Sequence, residues 1–284
     1  MLVDAATLYY RAFHALPDSL TDPSGRPNNA IRGFFDGLRI LRDAYQPDAI
    51  VACWDDDWRP QWRVDLLPSY KAKRAESGEE LPEALAPQTA VIAEVCRALG
   101  VAVMGAPHME ADDVVAALAF SAREPVAIVS GDRDLTQLVS DAADRRLLYL
   151  GTGVGKHTVY DDAMVIAAYG VRPNQYADLA TLRGDPSDGI PGAPGIGAKT
   201  AASYLTAFGD LEGVLAAAQV VAPPLSRTKA AMLVEQADQL RAMLQVIRLQ
   251  PAALVRVEQQ ADPAATERLS AEFGLQSVLR RWAA

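Results

Sequence analysis

Nine acidic residues in this chain could act together, and they fall in five short clusters. Asp4 ends "LVD", Asp55 ends "AIVACWD", Glu110, Asp112 and Asp113 open "EADDVVAALAF", Asp132 and Asp134 end "VAIVSGDRD", and Asp185 and Asp188 lie in "RGDPSDGIP". Singly, each has an ordinary reading. An acid in the first turn of a helix complements the dipole, worth about 0.3–1 kcal/mol, and an aspartate in a Gly/Pro-rich loop makes an Asx turn. Together they do not. Each pair of like charges at about 4 Å costs on the order of 4 kcal/mol at a surface-like dielectric. A pocket shared by these groups therefore holds several protonated acids, or hard divalent cations neutralise it. An oxygen-only donor set selects Mg²⁺ or Mn²⁺. Two such ions about 3.5–4 Å apart ionise a water, clamp a scissile phosphate and stabilise the leaving oxygen, so phosphodiester hydrolysis then needs no side-chain base. None is evident: His14, His108 and His157 fall in unrelated contexts and read as structural or exposed.

The elements that must position these acids follow from the apolar pattern. "LVD", "AIVACWD" and "VAIVSGDRD" are short apolar runs separated by helical patterns over 31–45 and 84–99, which predicts parallel strands of an α/β sheet. Ligands of such sheets bind beyond the carboxyl ends of the strands, so acids after three strands converge on one edge. In the helix opened by "EADD", Glu110 and Asp113 share a face while Asp112 lies to the side. "RRLLYLG" and "KHTVY" predict a hairpin at the sheet edge around 151–155, whose "GTGVGK" is only a turn. A further helix is expected over 226–249.

"GIPGAPGIGAKTA" comes close to a nucleotide-binding loop, because Gly192 and Gly197 have the required spacing. Ala198 then separates Gly197 from Lys199, turning the lysine by about 100°, and "LRGDPSDGIP" before it cannot supply the strand such a loop must leave. Nucleotide binding is rejected. What survives is a glycine hairpin opening a helix at Ala198, whose free N–H groups and positive dipole end suit any phosphate, including one on a DNA strand. A plain turn between packed helices is the alternative.

The 284 residues, half of them apolar, suffice for one large domain or a domain with an appended lobe. No run of eighteen apolar residues and no basic leader into an apolar segment occurs, which predicts a cytoplasmic protein without membrane association. Cys53 and Cys96 form no Cys-x-x-Cys pair, which fits a reducing compartment and argues against zinc. The net charge of −9 argues against nucleic acid on its face, but its distribution does not. "WRPQWRVDLLPSYKAKR" carries Arg59, Arg63, Lys71, Lys73 and Arg74 against Asp65, interleaved with Trp58, Trp62 and Tyr70. Cations with aromatics are the mixture that tracks a single strand; a solvated helix face or loop is the alternative.

The order "LVD", "YRAF", "SYKAKR", "EADDVVA", "SGDRDLTQLVS", "LRGDPSDGIPGAPGIGAKTA" resembles the bacterial 5'-3' exonuclease and flap endonuclease family, including the nuclease domain at the front of DNA polymerase I. The likeness runs to about Phe208, and its last two motifs are highly specific. It implies a structure-specific, metal-dependent nuclease acting where a 5' single strand meets duplex DNA, at a flap, nick or gap. All nine acids would hold Mg²⁺ or Mn²⁺ directly or through water. Lys71 and Arg74 resemble the basic pair of a helical arch that contacts the scissile phosphate, with Arg63 and Tyr70 as supporting DNA contacts. Gly192, Gly195, Gly197, Lys199 and Thr200 belong to what looks like the family's helix-hairpin-helix element, which grips the duplex backbone and in some relatives includes a potassium ion held by loop carbonyls. Ala5 stands where the family commonly has glycine and Gly189 where it often has asparagine; neither departure removes a carboxylate.

The resemblance and the pattern together predict a Rossmann-like (PIN-like), mainly parallel sheet at 1–180 with an arch inserted at about 59–87, and a helical region at 181–284 packed on it as one globule. They predict a free-standing monomer that leaves gap filling and sealing to a separate polymerase and ligase. Two rival functions exist. A PIN-like ribonuclease would share the acidic edge without needing the glycine hairpin or the basic insertion. A non-catalytic helix-hairpin-helix DNA-binding protein would have no use for nine placed acids.

Overall fold

The apolar runs become strands that are covered on both faces, which is why they read as nearly continuous apolar stretches. The computed structural model describes residues 1–78, 81–249 and 260–283. Glu79 and Glu80 of the expected arch, and 250–259 and Ala284 of the expected helical region, lie outside the described residues. The strands are β1 (Leu2–Asp4), β2 (Val51–Cys53), β3 (Ala102–Met104), β4 (Val126–Ser130), β5 (Arg145–Tyr149) and β6 (Thr158–Tyr160), in the order β3-β2-β1-β4-β5-β6. All neighbours are parallel except β6, which closes the expected hairpin against β5. Chain order reverses between β1 and β4, so the crevice beyond Asp4 and Ser130 is the topological switch point where α/β sheets place their ligands.

Helices α1 (Ala5–Ala15) and α2 (Asn29–Tyr45) connect β1 to β2; α3 (Gln61–Leu66), α4 (Ala72–Ser77) and α5 (Ala86–Ala98) connect β2 to β3; and α6 (Ala111–Ser121) connects β3 to β4. Strand alternation sends Leu2, Ile128 and Leu147 to one face, against Val114 and Val115 of α6. Val3, Val129 and Leu148 go to the other, against Phe34, Phe35 and Leu38 of α2. Each of these fully buried side chains contributes about 1.5–3 kcal/mol relative to exposure, and together they fix the edge that carries the acids.

After α7 (Asp162–Tyr169) comes a helical region with a core of its own, built on Tyr176, Leu179, Leu182, Leu205, Leu215 and Leu240. It contains α8 (Tyr176–Arg183), α9 (Ala198–Phe208), α10 (Leu211–Gln219), α11 (Arg227–Glu235) and α12 (Ala237–Ile247). The single helix expected over 226–249 is two. Gln236, at φ −98° and ψ 11°, ends α11 and starts α12, turning Ala230 and Leu233 and then Leu240, Met243 and Leu244 onto the same core. The last helices, α13 (Pro263–Glu272) and α14 (Gln276–Ala283), return to the α2 face of the sheet, where Leu275 and Val278 join the α2 core and Arg32 Nη2 donates to Gly274 O at 2.7 Å.

The basic stretch departs most from expectation. Helices α3 and α4 lie down on the acidic edge, with Leu67 and Tyr70 buried in the core of the helical region. The backbone N–H of Lys71 donates to Asp188 O at 2.9 Å, and Ser69 Oγ donates to Gly189 O at 2.7 Å. The same region corrects one of the expected DNA contacts. Gly192 is buried, at φ +69°, and a Cβ there would stand 2.4 Å from the backbone nitrogen of Gly184. It serves the close approach of the hairpin to the end of α8, not a ligand. Gly192→Ala should therefore cost about 2–4 kcal/mol of unfolding free energy. A chemical denaturation curve that superimposes on that of the natural protein would refute this assignment.

Candidate active site

Asp4 ends β1 and caps α1. Its carboxylate accepts from the Thr7 backbone N–H at 3.2 Å, from Thr7 Oγ1 at 2.5 Å and from Ser130 Oγ at 2.7 Å, and it is 6 % exposed. The Asp132 backbone N–H donates to the same Ser130 hydroxyl at 2.9 Å, so one small polar bridge joins the ends of the two switch-point strands. Thr7 and Ser130 were missed in the sequence. The available signal was an aspartate followed three residues later by threonine at a strand-to-helix junction, an N-cap pattern.

Asp55 follows β2 and accepts from the Ala111 backbone N–H at 2.8 Å at the start of α6. Glu110 is the N-cap residue of that helix, with Asp112 and Asp113 in its first turn. Asp132 and Asp134 follow β4, and Asp134 donates its backbone N–H to Asp132 Oδ1 at 2.8 Å. Asp185 and Asp188 form the turn after α8, closed by reciprocal backbone bonds of 2.9 Å between Asp185 and Ile190.

These groups do not all meet. Glu110, Asp112, Asp132, Asp134 and Asp188 line one cavity of about 20 Å³ at the seam between the sheet edge and α12, room for about one water-sized body. Asp4 and Asp55 stand behind it, close enough to raise the proton affinity of Asp112. The expectation that Asp113 faces the metals is corrected. It is fully buried and accepts two bonds from Arg63, Nη1 to Oδ2 at 2.7 Å and Nη2 to Oδ1 at 2.9 Å. Arg63 also donates from Nη1 to Glu110 Oε1 at 3.1 Å and from Nε to Val246 O at 3.0 Å, and it is 3 % exposed. This removes Arg63 from the DNA-contacting face; it ties α3, α6 and α12 together. Tyr70, 5 % exposed, is likewise turned inward, its hydroxyl donating to Glu110 Oε1 at 2.7 Å. Bases placed beside so many acids are drawn to them rather than left to face solvent.

Lys71 carries the same effect furthest. Its ammonium lies among the cavity acids, paired with Glu110 Oε2 and donating to Trp58 O at 3.1 Å. Arg74 Nη2 donates to Asp188 Oδ1 at 2.9 Å. Two cations do not neutralise the pocket. Burial, then the charges of Asp132, Asp4, Glu110 and Asp55, holds Asp112 well above the ordinary carboxylate range. Burial, then Asp132, Asp188 and Asp185, does the same to Asp134. Burial pushes Asp55 up to about 6 even with the Ala111 N–H opposing it. No donor among the described residues reaches the side-chain oxygens of Asp112 or Asp134. Crowded, partly buried carboxylates short of donors and positive charge are the donor set a hard divalent cation satisfies. In the present arrangement they share the cavity with Lys71, whose ammonium pairs with Glu110, and among the described residues no three acids are drawn around a single point. A groove of about 620 Å³ between α5 and α13–α14 shares no residue with this site.

The glycine hairpin joins α8 to α9. Gly197 caps α9 with no side-chain bond to its first amides, and Ala198 and Lys199 there are exposed with Thr200 half-buried. Gly195 is exposed at the tip. At the same tip Lys229 Nζ, from α11, donates to Pro194 O at 3.0 Å and to Gly195 O at 2.8 Å.

A mainly parallel sheet with an acid-lined switch point, followed by a helix-hairpin-helix region, places this protein among the nucleases. The chain belongs to the 5'-3' exonuclease family: the family's N-terminal resolvase-like domain matches residues 1–170 and its C-terminal SAM fold matches 171–269. A 5'-3' exonuclease of Streptomyces coelicolor is 45% identical over 99% of this chain and 98% of its own length. DNA polymerase I of Mycobacterium tuberculosis is 41% identical over 76% of this chain but only 24% of the polymerase. Among solved structures, a bacteriophage T5 flap endonuclease in a pseudo-enzyme–product complex with DNA and metal ions superimposes with a TM-score of 0.68 at 18% identity, covering 100% of this chain and 99% of that one.

Two outcomes follow from the charge arrangement. Asp113→Asn leaves Arg63 buried without its partner and should cost about 3–5 kcal/mol of unfolding free energy; an unchanged denaturation midpoint would show that Arg63 finds equivalent acceptors. The second concerns pH. Asp55 binds its proton more tightly folded than unfolded, so the stability it contributes is complete below the ordinary carboxylate pKa of 3.8 and lost as pH rises through about 6. Divalent cation should accordingly raise the melting temperature of EDTA-treated protein more at about pH 7.5 than at about pH 5; equal shifts at the two values would count against a metal centre here.

Proposed function

We propose that the protein is a divalent-metal-dependent, structure-specific DNA nuclease, cutting as a 5'-3' exonuclease and as a 5'-flap endonuclease where single strand meets duplex. The observation that carries this reading is the cavity at the seam, where acids from α6, from the end of β4 and from the hairpin approach face the ammonium of Lys71. Glu110, Asp112, Asp132, Asp134 and Asp188, backed by Asp4, Asp55 and Asp185, would hold Mg²⁺ or Mn²⁺. Bound there, the ions would supply an activated water and positive charge for the leaving oxygen. Arg63 and Asp113 keep Glu110 aimed into the cavity, and Thr7 and Ser130 keep Asp4 oriented.

Lys71 and Arg74 have the placement for the scissile phosphate, since both already sit on acids at the cavity wall and can exchange a carboxylate for a phosphate oxygen. Downstream, the first amides of α9 with Lys199 and Thr200 would hold the backbone of the duplex. The T5 neighbour is described with DNA and metal ions, and this chain would take the same classes of ligand. We assign it to the cytoplasm as a monomer, working with a separate polymerase and ligase. Its two cysteines, both free and buried, suit a reducing compartment, and among the described residues no helix is long and apolar enough to cross a membrane.

The test is cleavage of a 5'-flap DNA labelled at its end and internally. Product near the junction should require Mg²⁺ or Mn²⁺ and vanish in EDTA. Asp132→Asn, which alters an exposed acid at the cavity mouth, should lower the rate about a thousandfold or more while DNA binding persists. Binding without cleavage under either ion would leave only a DNA-binding module, and cleavage confined to an RNA control would make the protein a ribonuclease.

A further inference from the structure

The acidic edge has a second flank, and the strand order sets its direction. Glu110, with Lys71 on it, follows β3; further acids follow β2, β1 and β4; beyond β4 come β5, which ends in Tyr149, and β6, which carries Tyr160. A row of tyrosines leads from there back to the acids. The ring centroids of Tyr149 and Tyr160 are 5.8 Å apart, those of Tyr160 and Tyr169 6.2 Å, and those of Tyr169 and Tyr176 5.0 Å. Gly151 leaves room for the first ring, since a Cβ there would stand 2.5 Å from Tyr149 Cε1. Tyr176, the innermost, is fully buried, with Asp134 and Arg183 within electrostatic reach of its hydroxyl.

The turn after β4 sends Arg133 toward this row. Asp132 and Asp134 both line the acid cavity, and Arg133 between them does not. The Asp134 N–H on Asp132 Oδ1 at 2.8 Å and the Thr136 N–H on Arg133 O at 2.9 Å fix the backbone that separates the three side chains. Arg133 is exposed and lies within electrostatic reach of Tyr176, Asp185, Tyr149 and Tyr169. Arg183 Nη2 stands 3.8 Å from Asp185 Oδ2, whereas no acid pairs with Arg133 among the described residues. Tyrosine hydroxyls are neutral, so they can orient a guanidinium without cancelling its charge.

We propose that Arg133, with the hydroxyls of Tyr149 and Tyr169, binds the phosphodiester next to the scissile one, on the side of the acids away from Lys71 and Arg74. A strand whose scissile phosphate lies over the acids must pass this flank or the other. Arg133 is one residue, about 3.8 Å of backbone, from each of two acids that line the cavity, so the neighbouring phosphate comes within its reach. A guanidinium meets a phosphate with two parallel donors, and a phenol O–H can add another. Positive charge on both flanks would hold the strand across the acids and keep the scissile bond in place. The inference rests on reading the edge as the nuclease site.

The experiment measures kcat and KM on a 5'-flap DNA with Mg²⁺ for the natural protein, Arg133→Gln and Arg133→Lys, using the plain strand and strands in which one linkage near the junction is an uncharged methylphosphonate. A contact to a non-reacting phosphate is made equally before and during the reaction, so Arg133→Gln should raise KM about tenfold and leave kcat within about threefold. It should also lower the slope of log KM against log salt by about one, and Arg133→Lys should restore that slope with part of the KM. One uncharged linkage beside the cleaved bond should cost the natural protein about tenfold in KM and Arg133→Gln almost nothing. The proposal is overturned if every uncharged linkage costs the variant as much as the natural protein, if Arg133→Gln lowers kcat at unchanged KM, or if it alters only the Mg²⁺ concentration needed, which would make Arg133 a counter-charge to the acids. A natural protein that leaves the plain flap uncut would instead sink the nuclease reading, a separate failure.

Discussion

Mutual repulsion among crowded carboxylates, three of them buried and most of the others half-buried, is the constraint on which the rest of the structure depends. A parallel sheet delivers the ends of β1, β2 and β4 to one edge, and α6 and the hairpin approach add their own acids there. At an interior dielectric such a cluster would oppose folding by many kcal/mol if fully ionised and alone. The chain answers with Arg183 on Asp185 and with three cations from the basic stretch: Arg63 on Asp113 and Glu110, Lys71 on Glu110, and Arg74 on Asp188. These three pull the insertion between β2 and α5 onto the edge it serves. Its apolar residues Leu67 and Tyr70 then have a core to enter.

The three cations differ in what they can do, and burial separates them. Arg63 has a planar fork matched by the two oxygens of Asp113, is nearly inaccessible, and receives a further acceptor from α12. Releasing it would strand two charges, so it is structural. Arg74, whose side chain is 43 % exposed, makes one bond to Asp188, and Lys71 has the point charge and rotatable stem of a lysine. Arg74 can change partners at little cost, and Lys71, 11 % exposed, can do so only for another anion that enters the cavity. The division between a fixed arginine and two less constrained cations gives an edge that is held together by one charge while the other two line its open side.

Much of the fold was legible because its signals are local. An apolar run ending in aspartate marked β1 and β4, and helical periodicity marked α2 and α5 to within two residues. The spacing of Glu110 and Asp113 showed that they share a face, as their common partner Arg63 demonstrates. What spacing could not show is which face looks at the cavity, and there Asp112 and Asp113 exchange their expected parts. The composition of 58–74 showed cations and aromatics without showing that the nearest anions were in the protein itself, so Arg63 and Tyr70 looked like surface residues. The break at Gln236 carries neither glycine nor proline; it is imposed by the core that α11 and α12 must both meet, and no local signal reports it.

Lys71 lies among carboxylates, where attraction grows with the charge of the ion that meets them. A divalent cation held by those acids would compete with the ammonium for the same oxygens, and Lys71, a point charge on a rotatable stem, would then be available to another anion at the cavity wall. On this reading the lysine stands in for positive charge that the acids require, which is why a base is drawn into a pocket whose own acids it does not neutralise.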